Sequence, residues 1–220
     1  MKDAIARRQS TRDRIVEAAR VLFNEQGYEL VTTAALAAHL GIAEGNLWYH
    51  FKTKRALLDA LAARYADVIE ARLLLAPASD AVASYVRLLE TLMSEFRAFR
   101  FLYRDQRGYG ELADQIAQNA PRWLEMTVAQ IEAHLAALVA AGLLDRPREQ
   151  LRDVAINATI ILRYGLEHYR ELGVPVGQGS GAVQRTLKRH LTLFEHQLAP
   201  GAAARLNAAL AAIEAEVLAA

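Results

Sequence analysis

The 220-residue chain contains no cysteine. That excludes disulfides, thiolate nucleophiles and thiolate-ligated zinc sites, and it fits a reducing cytoplasm. Also missing is any apolar run of the roughly 18 to 20 residues that a membrane-spanning helix needs. The N-terminal segment MKDAIARRQSTRDR lacks the apolar core of a signal peptide. A soluble cytoplasmic protein without a membrane partner is therefore expected. β-Branched residues are sparse beside alanine and leucine, so helices are favoured throughout and the expected fold class is all-α. Catalytic signatures are lacking too: no nucleophile elbow, no phosphate-binding glycine loop, no paired metal motif. The six histidines are dispersed. His190 and His196 stand six apart and His134 and His168 stand alone, so no helical i, i+4 ligand pair arises. Neither enzymatic activity nor a cofactor or metal is expected.

What is present begins with composition. At 53% hydrophobic residues the chain can bury a substantial core. The net charge of +1 hides an asymmetry: residues 1–55 carry nine Lys/Arg against six Asp/Glu, and the remainder carries 17 against 19. The basic excess sits where phosphate contact is needed, if the N-terminal part reads nucleic acid.

That part centres on TTAALAAHLGIAEGNLWYHFKTK, residues 32–54. Leu36, Ala37 and Leu40 supply one apolar face at helical spacing, and Gly41 breaks the helix with a turn that favours positive φ. Ile42 and Leu47 start a second face that ends in Trp48, Tyr49 and Phe51. Thr32 can cap the first of these helices. The pattern is a helix-turn-helix, whose second helix enters the DNA major groove. Upstream, a helix from about Thr11 to Gln26 carries Ile15, Ala18, Ala19, Leu22 and Phe23 on one face, and Gly27 closes it. Over residues 2–14, Lys2, Arg7, Arg8, Arg12 and Arg14 form either a solvated tail or an arm that reaches phosphate or the minor groove.

The segments RIVEAARVLFNEQGY, TTAALAAHLGIAEGNLWYHF and KTKRALLDAL resemble the DNA-binding domain of TetR-type (TetR/AcrR) transcriptional regulators over Thr11 to about Glu70. The resemblance implies a three-helix domain at 10–70, with the helix-turn-helix at about 33–52, and a larger helical effector-binding and dimerisation domain at 71–220. It implies that Thr32 and Thr33 contact phosphate and that Glu44, Gly45, Asn46, Trp48, Tyr49 and His50 face DNA, while Leu47 and Phe51 point inwards. Chemistry supports each role. Asn46 can pair bidentately with adenine, Glu44 can accept from cytosine N4, and Gly45 permits close backbone approach. Tyr49 and His50 can bond phosphate oxygens, and Trp48 can offer its indole to a sugar or a thymine methyl. Core packing for Trp48 and a turn role for Gly45 are the plain alternatives. Glu44 departs from the pattern, because a carboxylate near phosphates costs affinity unless it meets a base donor. Ala34 and Ala35 stand where many relatives carry longer polar side chains. Thr53 is a plausible cap for a fourth helix, where Lys54 can meet phosphate together with the helix N-terminus.

The fourth helix continues through Leu57, Leu58, Leu61 and Tyr65 to about Leu75, and Pro77 marks a boundary. One long helix is expected from Asp80 to about Asp105, with Arg97, Arg100, Arg104 and Arg107 along one face; that stripe is either an anion site, or a solvated face or subunit contact. Pro121 should open the next helix, capped by Asn119 and closed by Gly142. Residues 148–172 form a helix with two apolar faces, one of them carrying Ile156 and Ile160, so it is either central or shared with a partner. After a glycine-rich loop at 173–181, expected to be mobile, residues 182–198 carry Val183, Leu187, Leu191, Phe194 and Leu198. By the resemblance these two helices pair with their symmetry mates in a homodimer. An extra amphipathic helix is expected at 202–219.

The resulting expectation is a homodimeric regulator, most simply a repressor released from a palindromic operator by a small apolar or aromatic effector. Phe99, Tyr103, Trp123, Met126, Asn157, Tyr164 and His168 are the candidate effector contacts. A helical scaffold that binds partners through its amphipathic stripes would share those stripes, but not the helix-turn-helix with its basic excess.

Overall fold

The computed structural model describes residues 10–104 and 114–213, without the side chains of residues 104 and 114–117. Every regular element in them is helical: α1 Thr11–Gln26, α2 Thr33–Leu40, α3 Glu44–His50, α4 Lys54–Leu73, α5 Ala81–Ala98, α6 Arg100–Arg104, α7 Asp114–Ala140, α8 Leu151–Glu171, α9 Ala182–Leu191 and α10 Pro200–Ala212. They fall into two compact units, one within Met1–Asp67 and Ala98–Gln118, the other within Val68–Arg97 and Asn119–Ala220. The sequence pattern divided the chain once, near residue 70; here the first unit also takes in the segment after α5.

In the first unit, Ser10 caps α1 by accepting from the Asp13 N–H, and its own hydroxyl donates to the Asp13 carboxylate at 2.6 Å. Asp13 in turn pairs with Arg64 of α4 at 2.6 Å, and the Ser10 bond, with Arg64, holds its carboxyl below the usual range. Ile15, Ala18, Ala19, Leu22 and Phe23 are buried, as their spacing requires. The Phe23 ring meets Tyr28 and Phe101 edge-on, at centroid distances of 5.1 and 5.7 Å.

The single helix expected over 80–105 breaks at Phe99. Asn24 of α1 explains the break. Its side-chain amide donates to the Ala98 carbonyl at 2.8 Å and its oxygen accepts from the Phe101 N–H at 3.1 Å. These are backbone groups that an unbroken helix would pair internally, so the buried asparagine competes successfully with the helix ladder. Phe99 packs its ring 5.2 Å from Tyr65. The arginine stripe is thereby interrupted: Arg97 ends one segment, and Arg100 turns to donate to the Asn24 carbonyl. The Arg104 side chain and Arg107 lie outside the described residues, as do Lys2, Arg7 and Arg8 of the N-terminal arm.

In the second unit, α7 starts at Asp114, seven residues before its expected opening, and carries Pro121 inside it. Proline has a helix-compatible φ, so its cost is the missing N–H rung together with the crowding of its ring against the carbonyl one turn back. The helix closes at Gly142, whose φ is 68°. Helix α8 packs on α9, and Gly165 permits the approach: a Cβ there would stand 2.5 Å from Thr186 Cγ2. The stripe expected over 182–198 is buried within its own unit, but its helix stops at Leu191. Beyond it the chain is tied to the loop after α7 through Asp145 N–H to Gln197 O and Ala199 N–H to Leu143 O, both 2.9 Å. Arg146 also donates to the Leu193 carbonyl at 3.1 Å. These bonds take backbone groups that a continuing helix would need.

Helix α10 settles what the sequence left open about the extra segment. It buries Ala202, Leu206 and Leu210, while Arg205 pairs with Asp80 at 2.5 Å and Gln184 donates to the Ala211 carbonyl. It therefore covers the body of its own chain. The helix expected to reach 219 ends at Ala212, where Ile213 turns extended; Val217 lies outside the described residues.

Candidate nucleic-acid interface

The helix-turn-helix is built by local rules. Thr32 caps α2 by accepting from the Ala35 N–H at 3.1 Å. Gly41 closes it at φ 65°, ψ 33°, in the left-handed region, where the absence of Cβ removes a penalty. Leu36 and Ala37 of α2 and Leu47 of α3 are buried together with Phe51. Leu47 and Phe51 thus point inwards, and the rest of α3 faces out.

Asn46 is exposed. Tyr49 is 76% exposed and Trp48 37%, so neither is spent on the core. Tyr49 stacks edge-on against the half-buried His50, with centroids 5.2 Å apart. Gly45 has no positive φ, which removes the turn explanation, and a Cβ there would meet nothing within 4 Å. Packing therefore does not require glycine at this position.

Three candidates have internal partners that the sequence did not reveal. The Thr33 hydroxyl donates to the Glu44 carboxylate at 2.8 Å, so each fixes the other across the turn. Lys54 places Nζ 4.2 Å from the centroid of Tyr28 and donates to the Glu29 carbonyl at 3.2 Å. Burial lowers its pKa, with Glu29 opposing. Arg12, from the basic N-terminal stretch, lies over the Phe51 ring at 4.8 Å. Thr53 caps α4 through the Ala56 N–H at 3.0 Å.

The seven effector candidates separate. Phe99 and Tyr103 are buried in the first unit, where the Tyr103 and Tyr65 hydroxyls are hydrogen-bonded. Trp123 and Met126 are half-buried on α7 of the second. Asn157, Tyr164 and His168 are exposed on α8. Two grooves of the second unit, of about 340 and 630 Å³, are lined by none of them.

Sequence reasoning missed the polar core of the second unit. Arg72 of α4 is almost wholly buried and donates to Glu95 at 2.7 Å, Thr127 at 2.9 Å and Gln130 at 2.6 Å. Nearby, the Tyr85 hydroxyl lies 2.6 Å from His190 Nε2, with both residues fully buried. Burial raises the Tyr85 pKa and lowers that of His190 to about 3. Glu95 lies among the residues of an apolar stripe, so a carboxylate at a core position was the available signal. Among the described residues no helix is long and apolar enough to cross a membrane, and no cluster of three or more potential metal ligands occurs.

An outward-facing helix held by a capped helix and a left-handed glycine defines a helix-turn-helix protein. The comparisons narrow the class. Residues 15–61 match the profile of bacterial regulatory proteins of the tetR family, and residues 64–206 match that of the TetR bacterial transcriptional repressors. The chain belongs to the TetR family of non-enzymatic, DNA-binding transcriptional regulators. It is 51% identical over 51 residues to the class D tetracycline repressor of Escherichia coli, a match covering 23% of each chain. It thus spans about a quarter of that relative's length. Among solved structures it is similar to a TetR-family regulator from Marinobacter aquaeolei VT8, at 22% identity and TM-score 0.69 over 94% of this chain and 98% of that one. A putative regulator from Saccharomonospora viridis in complex with choline is 20% identical, with TM-score 0.59 over 85% of this chain and 96% of that one. These likenesses extend the fold beyond the helix-turn-helix part.

Proposed function

We propose that the protein is a homodimeric cytoplasmic repressor that binds a palindromic operator and leaves it when a small apolar or aromatic effector binds. In this reading residues 10–70 read DNA and residues 71–220 dimerise and sense the effector. The observation that carries the DNA role is the outward face of α3, where Asn46, Trp48 and Tyr49 have exposed side chains beside the buried Leu47. Asn46 and Glu44 would read base edges, with Tyr49, His50 and Thr32 on phosphates and Gly45 admitting close backbone approach; Thr33, whose hydroxyl donates to Glu44, would offer a phosphate its backbone N–H at the start of α2. Lys54 would join them only on exchanging its Tyr28 and Glu29 contacts for a phosphate.

The test is a mobility shift of purified protein on the DNA flanking its own gene, titrated with salt and competitor. Tyr49→Ala should weaken operator binding while leaving the oligomeric state unchanged. Asn46→Ala should relax discrimination at one base position, at a cost of about 1–3 kcal/mol there. Wild-type affinity and selectivity in both variants would remove α3 from the interface.

Dimerisation is supported by α8. Its inner residues Leu151, Val154, Ala158, Leu162 and Leu166 are buried, whereas Ile156, Ile160 and Tyr164, four apart, form an exposed apolar row. Helix α9 exposes Lys188 and Arg189 and would supply a polar rim rather than the apolar seam. Two subunits joined through α8 would offer recognition helices to half-sites about 34–36 Å apart. Ile160, 53% exposed, is the residue to change. Ile160→Glu should give a folded monomer in sedimentation with sharply reduced operator affinity; an unchanged dimer would place the interface elsewhere.

A further inference from the structure

The smaller groove of the second unit lies where α4 ends and α5 begins. It has a volume of about 340 Å³ and is lined by Leu74, Leu75, Asp80, Ala83, Arg87 and His134, among others. That volume suits a small organic ligand. Leu74, 83% exposed, and Leu75 give it an apolar wall.

Its polar groups are unequally satisfied. Asp80 is already held by the Ala83 N–H and by Arg205. Arg87 is exposed and has no ion-pair partner among the described residues. His134, only 1% exposed, is the unusual one. Its Nδ1 lies 2.8 Å from the Gln130 carbonyl, which can only accept, so Nδ1 carries the proton. Nε2 is therefore a lone-pair acceptor, and it is buried without a partner. A buried polar atom left unpaired is costly, and a donor that reaches it recovers that cost. Burial lowers the His134 pKa, opposed by the Gln130 bond, which keeps the acceptor available at neutral pH.

The groove is also wired to α4. Gln130 sits one turn before His134 on α7, accepts from Arg72 at 2.6 Å, and donates to the carbonyls of Arg72 and Leu75 at 2.9 and 2.8 Å. A molecule seated on His134 therefore acts one helical turn from the residue that grips the end of α4. That helix begins four positions after the last residue of α3.

We propose that this groove is an effector site for small hydroxy-carboxylic acids with an apolar middle, the hydroxyl donating to His134 Nε2 and the carboxylate facing Arg87. The proposal rests on the reading of the protein as an effector-released repressor and assigns the effector's chemical class and seat.

The experiment is calorimetric titration of the full chain with 2-, 3- and 4-hydroxybenzoate, with benzoate and phenol as controls lacking one group each. At least one hydroxy acid should bind at one site per chain and release operator DNA in the mobility shift. Its affinity should fall about tenfold or more in Arg87→Met and in His134→Phe, and benzoate and phenol should be similarly weak. Arg87 is a surface residue, so that variant stays informative if His134→Phe fails to fold. No binding by any isomer up to about 1 mM, or binding unchanged in Arg87→Met, overturns the site. Binding without operator release overturns its role as an effector site. Operator binding measured without acid reports on the repressor reading separately, so the two failures are distinguishable.

Discussion

Glu95→Ala is expected to destabilise the second unit by about 3–5 kcal/mol, because it strands the buried Arg72 guanidinium without its counter-charge. Both side chains are 1% exposed, and Arg72 has donors committed to Glu95, Thr127 and Gln130. The attraction between the two ions is not the relevant quantity. What matters is that neither water nor another carboxylate among these partners can replace Glu95 at a site closed to solvent. Urea unfolding followed by Trp123 fluorescence in a Trp48→Phe background reads this unit, since Trp123 lies on α7 within it. Arg72→Met combined with Glu95→Leu removes both charges and should recover most of the loss. Recovery should be incomplete, because Gln130 Oε1 then loses its donor, at a cost of about 1–3 kcal/mol. A loss below about 1 kcal/mol in Glu95→Ala would match a solvated pair and refute the buried one.

The second unit should also lose stability steeply in mild acid. Burial pushes the His190 imidazole from its ordinary value down to about 3. In the unfolded chain it takes a proton near pH 6.5; in the folded one it resists until about 3. Within that window the unfolded state binds the extra proton, so stability falls as pH falls, by about 1.4 kcal/mol per pH unit. Above pH 6.5 the effect vanishes. Among the described residues burial alone shifts His190, with no charged neighbour contributing. Its contacts include the Tyr85 hydroxyl at 2.6 Å and the ring of Phe194 at 5.4 Å. His134, near Tyr85 and itself lowered by burial, adds to the trend with the same sign. His190→Gln keeps a polar partner for Tyr85 and should flatten the profile between pH 6.5 and 4.5, which denaturation at a series of pH values would measure. An unchanged slope would assign the acid sensitivity to other groups.

The contrast between the two units shows what kind of information a sequence carries openly. Helices α1 to α4 are specified by neighbours: Thr32 three residues from the N–H it caps, Gly41 at the turn, Leu36 and Leu47 at helical spacing. The outward face of α3 follows from Leu47 and Phe51 being buried, so the candidate DNA face was legible too. The break at Phe99 was not, because the competitor for its backbone is Asn24, more than 70 positions away. The early end of α9 depends likewise on the loop around Leu143 to Arg146. Pro121 misled because proline suits the first turn of a helix and tolerates the interior at the loss of one rung. The Arg72 cluster was hidden because its members come from three helices, α4, α5 and α7, and no spacing rule joins them. Which surface the effector candidates line was not legible for a related reason: an aromatic on an amphipathic helix does not reveal which surface it will meet.

The hydrogen bond between Thr33 and Glu44 has a consequence for how the protein would search a chromosome. A freely rotating glutamate on the DNA-reading surface could swing away from any phosphate it met. Tethered to Thr33 at 2.8 Å, its carboxylate would, in the proposed DNA-reading role, stay put and impose a toll at every site that offers no amino group. That would shorten each unproductive stop and leave the dwell time on the matching sequence comparatively intact. Thr33→Val, which frees the carboxylate, would then raise residence on random DNA more than on the operator. Such a regulator gains selectivity by leaving wrong sites quickly rather than by holding the right one harder.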